Sequence, residues 1–321
     1  MKKVSVIVSV YNEQEILNAF FDRMIDVLEN IGAPYELLFV NDGSSDRSDS
    51  LLKSFAALDP RVKVIRFSRN FGHEAAMLAG IDYASGDYLV CIDADLEKPP
   101  ETIPRILEAM ERGADVVVTR CTENPCRSPA KRACSRLFYK FLNRLSAMRF
   151  QEGASDFFGI TRRVADLMRN SYREQGRYLR GFIQQVGFSR ACVPYRSPGR
   201  FAGKSKYSFA RLCALALQAC ISFSHTPLHL GFAAGGGALL AGLCCAASAV
   251  FGRAPGWIPW ACFFCFLFSI QIFLLGIIGE YIGDIQREEK RRPLYIVQET
   301  RNLETVSAGR EEEIPHACVG F

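Results

Sequence analysis

Two carboxylates one residue apart, Asp93 and Asp95, close the apolar run Tyr88-Leu89-Val90-Cys91-Ile92, and Glu97 follows two residues later. A buried strand of a parallel sheet reads as such a run, and ligands of open α/β sheets gather at the carboxyl ends of the strands. Two acids held this close repel each other unless a cation or a hydrogen-bonded partner compensates. A magnesium or manganese ion carrying a diphosphate is the natural occupant. The same acids would also suit the start of the helix announced by Pro99-Pro100, where proline and acidic residues are favoured.

Other strand ends carry polar residues of the same kind. The first strand runs into Ser9-Val10-Tyr11-Asn12-Glu13 and the second into Asn41-Asp42-Gly43-Ser44-Ser45-Asp46. In a doubly wound sheet these ends share one crevice. Tyr11 could face a flat base there, and Glu13 and Asp42 could accept hydrogen bonds from a base edge or a ribose hydroxyl. Gly43 would let the chain turn sharply, and Ser45 or Asp46 is expected to cap the next helix. The loop Ser68 to Glu74 after the third strand is another crevice candidate, in which His73 could cap, pack or catalyse.

These residues need a scaffold, and the pattern supplies one. Val4 to Val10, Tyr35 to Val40, Val62 to Phe67, Tyr88 to Ile92 and Val116 to Thr119 read as strands. Glu13 to Glu29, Asp46 to Leu58, His73 to Ala84 and Glu101 to Arg112 read as helices. Such alternation predicts an α/β, Rossmann-like parallel sheet with right-handed crossovers. At 321 residues the chain has room for more than this domain.

The remainder reads as membrane-associated. Between Arg211 and Arg253, and again between Arg253 and Glu280, no Asp, Glu, Lys or Arg occurs. Each gap can hold the roughly 20 apolar residues that cross a bilayer, so two transmembrane helices are expected at about 228–251 and 257–282. Ser208 to Ser224 suits an interfacial amphipathic helix. Basic residues precede the first span and follow the second, which places both long arms in the cytoplasm. The domain plan is therefore 1–207 catalytic, 208–227 juxtamembrane, 228–282 a two-helix hairpin and 283–321 a cytoplasmic tail. From Glu299 onward the tail reads as disordered. No signal peptide is read at the N-terminus. The 12 cysteines show no disulfide ladder, which agrees with a reducing compartment. A net charge of +5 is no nucleic-acid signature, and no nucleic-acid partner is expected.

Val-Tyr-Asn-Glu, Asn-Asp-Gly-Ser-Ser, Arg-Asn-Phe-Gly-His and Asp-Ala-Asp-Leu-Glu-x-Pro-Pro, each after its own strand, together resemble the family 2 glycosyltransferases with a GT-A fold. The closing Lys-Arg-Arg-Pro-Leu-Tyr-Ile-Val, residues 290 to 297, extends the resemblance to the polyprenyl-phosphate sugar transferases, including dolichyl-phosphate mannose synthases and bactoprenyl-phosphate glucosyltransferases. It covers about residues 3 to 297. The resemblance implies that Asp95 binds the metal of a sugar-nucleotide diphosphate, Mg2+ or Mn2+, aided by Asp93, with Ala94 beside the nucleotide. The family's third ligand is usually Gln, where this chain has Glu97. The first motif lacks the family's usual Pro, replaced by Ser9, and Asn41-Asp42 stands for the usual Asp-Asp. Asp156 implies an acceptor-side carboxylate often discussed as a base, and otherwise a turn or cap. Arg180-Gly181 stands where processive relatives carry Arg-Trp, which argues against a polymerising synthase.

Two basic stretches complete the expectation. Arg127, Lys131 and Arg136 recur on one face of a helical pattern and could dock a lipid phosphate, or form a solvated basic face. Arg200 and Lys206 lie in a Gly- and Ser-containing loop that could close over a diphosphate or read lipid headgroups. The expected reaction is inverting transfer of a hexose from a nucleotide diphosphate sugar to a membrane polyprenyl phosphate. A lipid hydroxyl acceptor, or a non-catalytic nucleotide-binding membrane scaffold, are the rivals. Donor base, sugar and polyprenol are left open, as is the oligomeric state, a homo-oligomer included.

Overall fold

A computed structural model describes residues 2–123, 154–173, 179–197, 237, 240, 244, 257–290 and 292–303. Eight strands form one sheet in the order β7-β5-β6-β4-β1-β2-β3-β8. The strands are β1 (Val4–Val10), β2 (Tyr35–Asn41), β3 (Val62–Phe67), β4 (Tyr88–Asp93), β5 (Val116–Glu123), β6 (Ala154–Thr161), β7 (Arg190–Arg196) and β8 (Val297–Arg301). The helices are α1 (Leu17–Ile31), α2 (Ser48–Leu58), α3 (His73–Tyr83), α4 (Ile103–Glu111), α5 (Arg162–Ser171), α6 (Leu179–Gln185) and α7 (Ile258–Glu289), with a short 3-10 turn at Pro100–Thr102.

β1 pairs in parallel with β2 and β4, and β2 with β3, which is the doubly wound half the alternation predicts. The sheet is not wholly parallel, however. β6 runs antiparallel between β4 and β5, and β8 runs antiparallel along β3. Both pairings join segments far apart in sequence, which the local βα alternation does not signal.

Period-2 alternation sorts the side chains to two faces. Val4, Val6, Val8 and Val10 pack in the core that also contains Phe20, Met24, Leu52, Ile106 and Leu107 from α1, α2 and α4. Ile7, Leu38, Val40 and Leu89 point the other way, into a core shared with α3, α5 and α6. α3 lies so near the sheet that a Cβ on Gly80 would meet Ile7 Cγ2 at 2.1 Å. Glycine there is a requirement of packing.

α1 starts at Leu17, four residues later than the periodicity implies. The Glu13 N–H donates to Ser48 Oγ at 3.0 Å and the Gln14 N–H to Asp46 Oδ2 at 3.2 Å, which ties these residues to the β2–α2 loop. Asp46 Oδ1 also accepts from the Ser48 N–H at 3.0 Å where α2 begins, although the cap position itself is Arg47, which makes no side-chain cap bond.

α7 is 32 residues long, or about 48 Å at the helical rise. Its stretch Phe266–Gly283 has a mean hydropathy of 1.8 and none of it is buried within the chain. Phe264, Phe268, Ile272, Leu275 and Ile282 are all exposed along one side of the helix at about 3.6 residues per turn, and Phe266 is exposed on the opposite side. The helix runs past the expected end at Ile282. The first expected span, 228–251, and the interfacial segment lie outside the described residues, apart from 237, 240 and 244, which are helical.

After α7 the chain returns to the sheet. Leu294 is buried, Tyr295 stacks on Phe67 with ring centroids 5.2 Å apart, and β8 adds itself to the sheet edge. The expectation of disorder from Glu299 is therefore wrong as far as Arg301. Tertiary pairing overrides a polar local sequence there, and Lys53 binds Glu299 at 2.9 Å.

Candidate active site

Three strands deliver the central residues. Ser9 on β1 pairs in register with Asp93 on β4, and Cys91 on β4 pairs with Phe158 on antiparallel β6. Continuing that antiparallel register by two residues sets Asp156 beside Asp93. The nearby His73 is the first residue of α3. One ligand atom from each of His73, Asp93 and Asp156 lies within 4.8 Å of the other two.

Hydrogen bonds hold this group in place. Ser9 Oγ lies 2.9 Å from His73 Nδ1 and donates to Asp93 Oδ1 at 3.2 Å. His73 Nδ1 is 3.3 Å from Asp93 Oδ1, and its Nε2 is 3.8 Å from Asp156 Oδ2. The loop before His73 is fixed by buried Asp42, whose carboxylate accepts from the N–H groups of Phe71 at 2.6 Å and Gly72 at 2.9 Å. Gly43 has φ of +66°, and a Cβ there would lie 2.5 Å from the Arg69 carbonyl carbon. Only glycine lets these two crevice loops touch.

The other side of the site is shaped by the turn after β4. Leu96, buried, has φ of 55°, an uncommon backbone for a branched side chain. Asp95 Oδ1 accepts from the Glu97 N–H at 3.0 Å. That turn carries Lys98 back into the site, where its ammonium pairs with Asp93 Oδ2.

The charges set one another. Burial opposes ionisation of Asp93, but Lys98 and then His73 more than offset it and hold its carboxyl below the usual range. Asp95 is pushed up to about 6 by burial first and by the Asp93 charge second. Burial would depress Lys98, yet Asp93, Asp156 and Asp95 raise it, so it stays an ammonium. Carboxylates outnumber ammonium groups in this cluster, and their hard oxygen donors are of the type that Mg2+ and Mn2+ prefer. The residues present thus fit a divalent ion.

Residues 5–168 match the model of the glycosyl transferase family 2. The chain belongs to that family. It is 36% identical over 97% of its length to an uncharacterized glycosyltransferase, YkcC, of Bacillus subtilis (strain 168), covering 98% of that protein. It is 34% identical to the bactoprenol glucosyl transferase of Shigella phage SfV, over 92% of this chain and 98% of that one. A solved structure of glucosyl-3-phosphoglycerate synthase from Mycobacterium tuberculosis, with Mn2+, UDP and phosphoglyceric acid, aligns at 16% identity and a TM-score of 0.46 over 68% of this chain and 76% of that one.

Within this family 2 glycosyltransferase, the expected residues divide into three groups. Asp93 and Asp156 meet at the centre, while Ala94, buried, and half-buried Asp95 and Glu97 form the adjoining turn. Tyr11 projects from the end of β1, 42% exposed, and half-buried Glu13 follows at the head of the loop to α1. Asp42, expected to face the ligand, follows β2 directly, and its carboxylate accepts from the backbone at Phe71 and Gly72. Arg127, Lys131, Arg136, Arg200 and Lys206, together with the Arg180 side chain, lie outside the described residues.

Sequence reasoning passed over Lys98 and Ser9 and left His73 undecided. Lys98 had a signal: it is a cation directly after an acidic cluster of three. Ser9 was noted only as a replacement for proline, and its bond to His73 depends on a strand-to-helix contact that spacing does not reveal.

Proposed function

We propose that this chain transfers a hexose from a nucleotide diphosphate sugar, UDP- or GDP-linked, to the phosphate of a membrane polyprenol, with inversion at the anomeric carbon. The observation that carries this reading is the match, over 92% of the chain, to a protein named for bactoprenol glucosyl transfer. At that coverage the match extends well beyond the residues 5–168 of the family model.

The chemistry suits the residues. An oxygen of the acceptor phosphate attacks the anomeric carbon as the bond to the nucleotide's diphosphate oxygen breaks, and the electron pair leaves with the nucleoside diphosphate. The acceptor is already anionic near neutral pH and needs no strong base. Positioning and charge neutralisation are the main tasks left to the protein. Asp93 and Asp95, with Glu97, would hold a divalent ion, and His73 and Asp156 offer further ligand atoms around Asp93. Such an ion supplies charge neutralisation at the departing diphosphate.

Tyr11, Glu13, Asp42 and Ala94 border the nucleotide in this reading, and Asp42 also orders the loop that carries His73. Asp156 orients the acceptor. Arg200 and Lys206 meet the leaving group, and Arg127, Lys131 and Arg136 dock the lipid phosphate. The catalytic domain spans 1–207, the juxtamembrane helix 208–227, and the hairpin 228–282 holds the site at the cytoplasmic membrane surface, with residues 283–321 also cytoplasmic.

Purified protein, a polyprenyl phosphate and labelled UDP- or GDP-hexoses test the reading. Metal-dependent formation of a polyprenyl-phosphate hexose is expected, with loss of product in Asp95→Ala. No product with any donor, or full activity in Asp95→Ala, would refute it.

A further inference from the structure

Lys98 is a cation that the carboxylate cluster already contains. The residue is 8% exposed, and its ammonium sits on Asp93 Oδ2. The other oxygen, Oδ1, takes the Ser9 hydroxyl and faces His73. Both oxygens of Asp93 are thereby engaged within the protein. A divalent ion arriving at Asp93 meets a positive charge a few ångströms away, in a buried setting where water screens little.

The geometry points to Lys98 as an internal counter-ion that makes divalent-metal binding at Asp93 conditional on a nucleotide diphosphate. The inference rests on the reading that Asp93 belongs to the metal set. A metal alone must displace the ammonium from Asp93 and leaves two cations to share the carboxylates of Asp93, Asp95 and Asp156 in a poorly screened site, which is costly. A metal arriving with a diphosphate brings anionic oxygens for the displaced ammonium to meet. Lys98 thus disfavours the metal-only state and has a partner in the ternary one. Asp95 belongs to the same balance, because Lys98 and Asp93 act on it with opposite sign. A purely structural Lys98, serving only to neutralise half-buried Asp93, would affect stability without linking metal to nucleotide.

Mn2+ binding to the full-length protein in detergent, read by electron paramagnetic resonance of free Mn2+, separates the two. Titrations are run without nucleotide, with saturating UDP and with saturating GDP, on wild type, Lys98→Met and Lys98→Arg. Wild type is expected to bind Mn2+ weakly alone and at least tenfold more tightly with one of the nucleotides. Lys98→Met should bind Mn2+ alone at least tenfold more tightly than wild type and lose most of the nucleotide enhancement. Lys98→Arg, which keeps the charge, should stay within about threefold of wild type. Melting temperatures with and without Mn2+ are read in parallel, and Mn2+ should stabilise Lys98→Met more than wild type. Should Lys98→Met be unfolded without metal, refolding on addition of Mn2+ alone supports the inference, and failure to refold overturns it. Equal or weaker Mn2+ binding by folded Lys98→Met overturns the inference and leaves the metal-dependent reading standing. No Mn2+ binding by wild type with either nucleotide overturns both.

Discussion

The parallel half of the sheet and its antiparallel additions do different work. β1 to β4 build the crevice from local crossovers, each strand end handing its polar residues to the loop that follows. β6 and β8 arrive from far along the chain and pair against this half, one beside the site and the other at the outer edge. The parallel half therefore holds most of the candidate site in short motifs, whereas the antiparallel strands complete and brace it through long-range register.

The sharpest way to test that division is to compare Asp93 with Asp156, one from each half. Asp93→Ala removes the partner of both Lys98 and Ser9, and turnover should fall at least about 1000-fold, as losses of central electrostatic groups do. Asp156→Asn should lower kcat only about 10- to 100-fold with nucleotide affinity unchanged, because a phosphate acceptor needs orientation more than deprotonation. Steady-state kinetics and nucleotide titrations check both. Equal, total losses with intact nucleotide binding would make Asp156 a true base and favour a lipid hydroxyl as acceptor.

The parallel half also contains a polar network in its interior, whose loss should be nearly as severe for folding. Glu36, 1% exposed, pairs with Lys63 at 2.7 Å and accepts from the Ser5 and Ser85 hydroxyls and the Ser85 N–H. Burial works against its charge, yet Lys63, Ser5 and Ser85 together bring its carboxyl down to about 2. A carboxyl depressed on folding contributes stability above its unfolded value near 4.5, and that contribution fades as pH falls toward 2. Glu36→Gln should cost about 3 kcal/mol at pH 7, and the deficit should shrink steadily below pH 4.5. Denaturant unfolding across pH measures it, and a deficit independent of pH would assign the loss to packing.

How far the chain could be read in advance follows the same line. The strands Val4–Val10 and Val62–Phe67 match their apolar runs end to end, and Asp93 and Asp95 stand where local rules put them. A parallel strand and its crossover helix are sequence neighbours, so periodicity and turn chemistry suffice. Asp156 was legible as a residue but not as a neighbour of Asp93, because its position depends on the register of β6. Lys98 returns to the cluster through a left-handed Leu96, a backbone choice that composition does not announce. β8 is polar enough to pass for a tail and becomes a strand only because β3 offers an open edge.

The edge strand offers the mildest perturbation of the comparison. Tyr295, between the long apolar helix α7 and β8, stacks on Phe67 at an interplanar angle of 12° and donates from its hydroxyl to Asp82 Oδ2 at 2.6 Å. Arg173 binds the same carboxylate at 2.8 Å. Phe67 in turn meets Phe71 edge-on at 5.7 Å, two residues before His73. Tyr295→Ala should remove about 2 to 3 kcal/mol of stability through lost packing, and Tyr295→Phe about 1 kcal/mol through the lost hydrogen bond alone. If β8 only braces the sheet, Tyr295→Phe keeps wild-type kcat and nucleotide affinity while its melting temperature drops. Because Phe67 and Phe71 connect Tyr295 to the His73 loop, Tyr295→Ala should in addition lower kcat several-fold, and a protein that loses stability with kcat unchanged would confine the antiparallel edge to bracing.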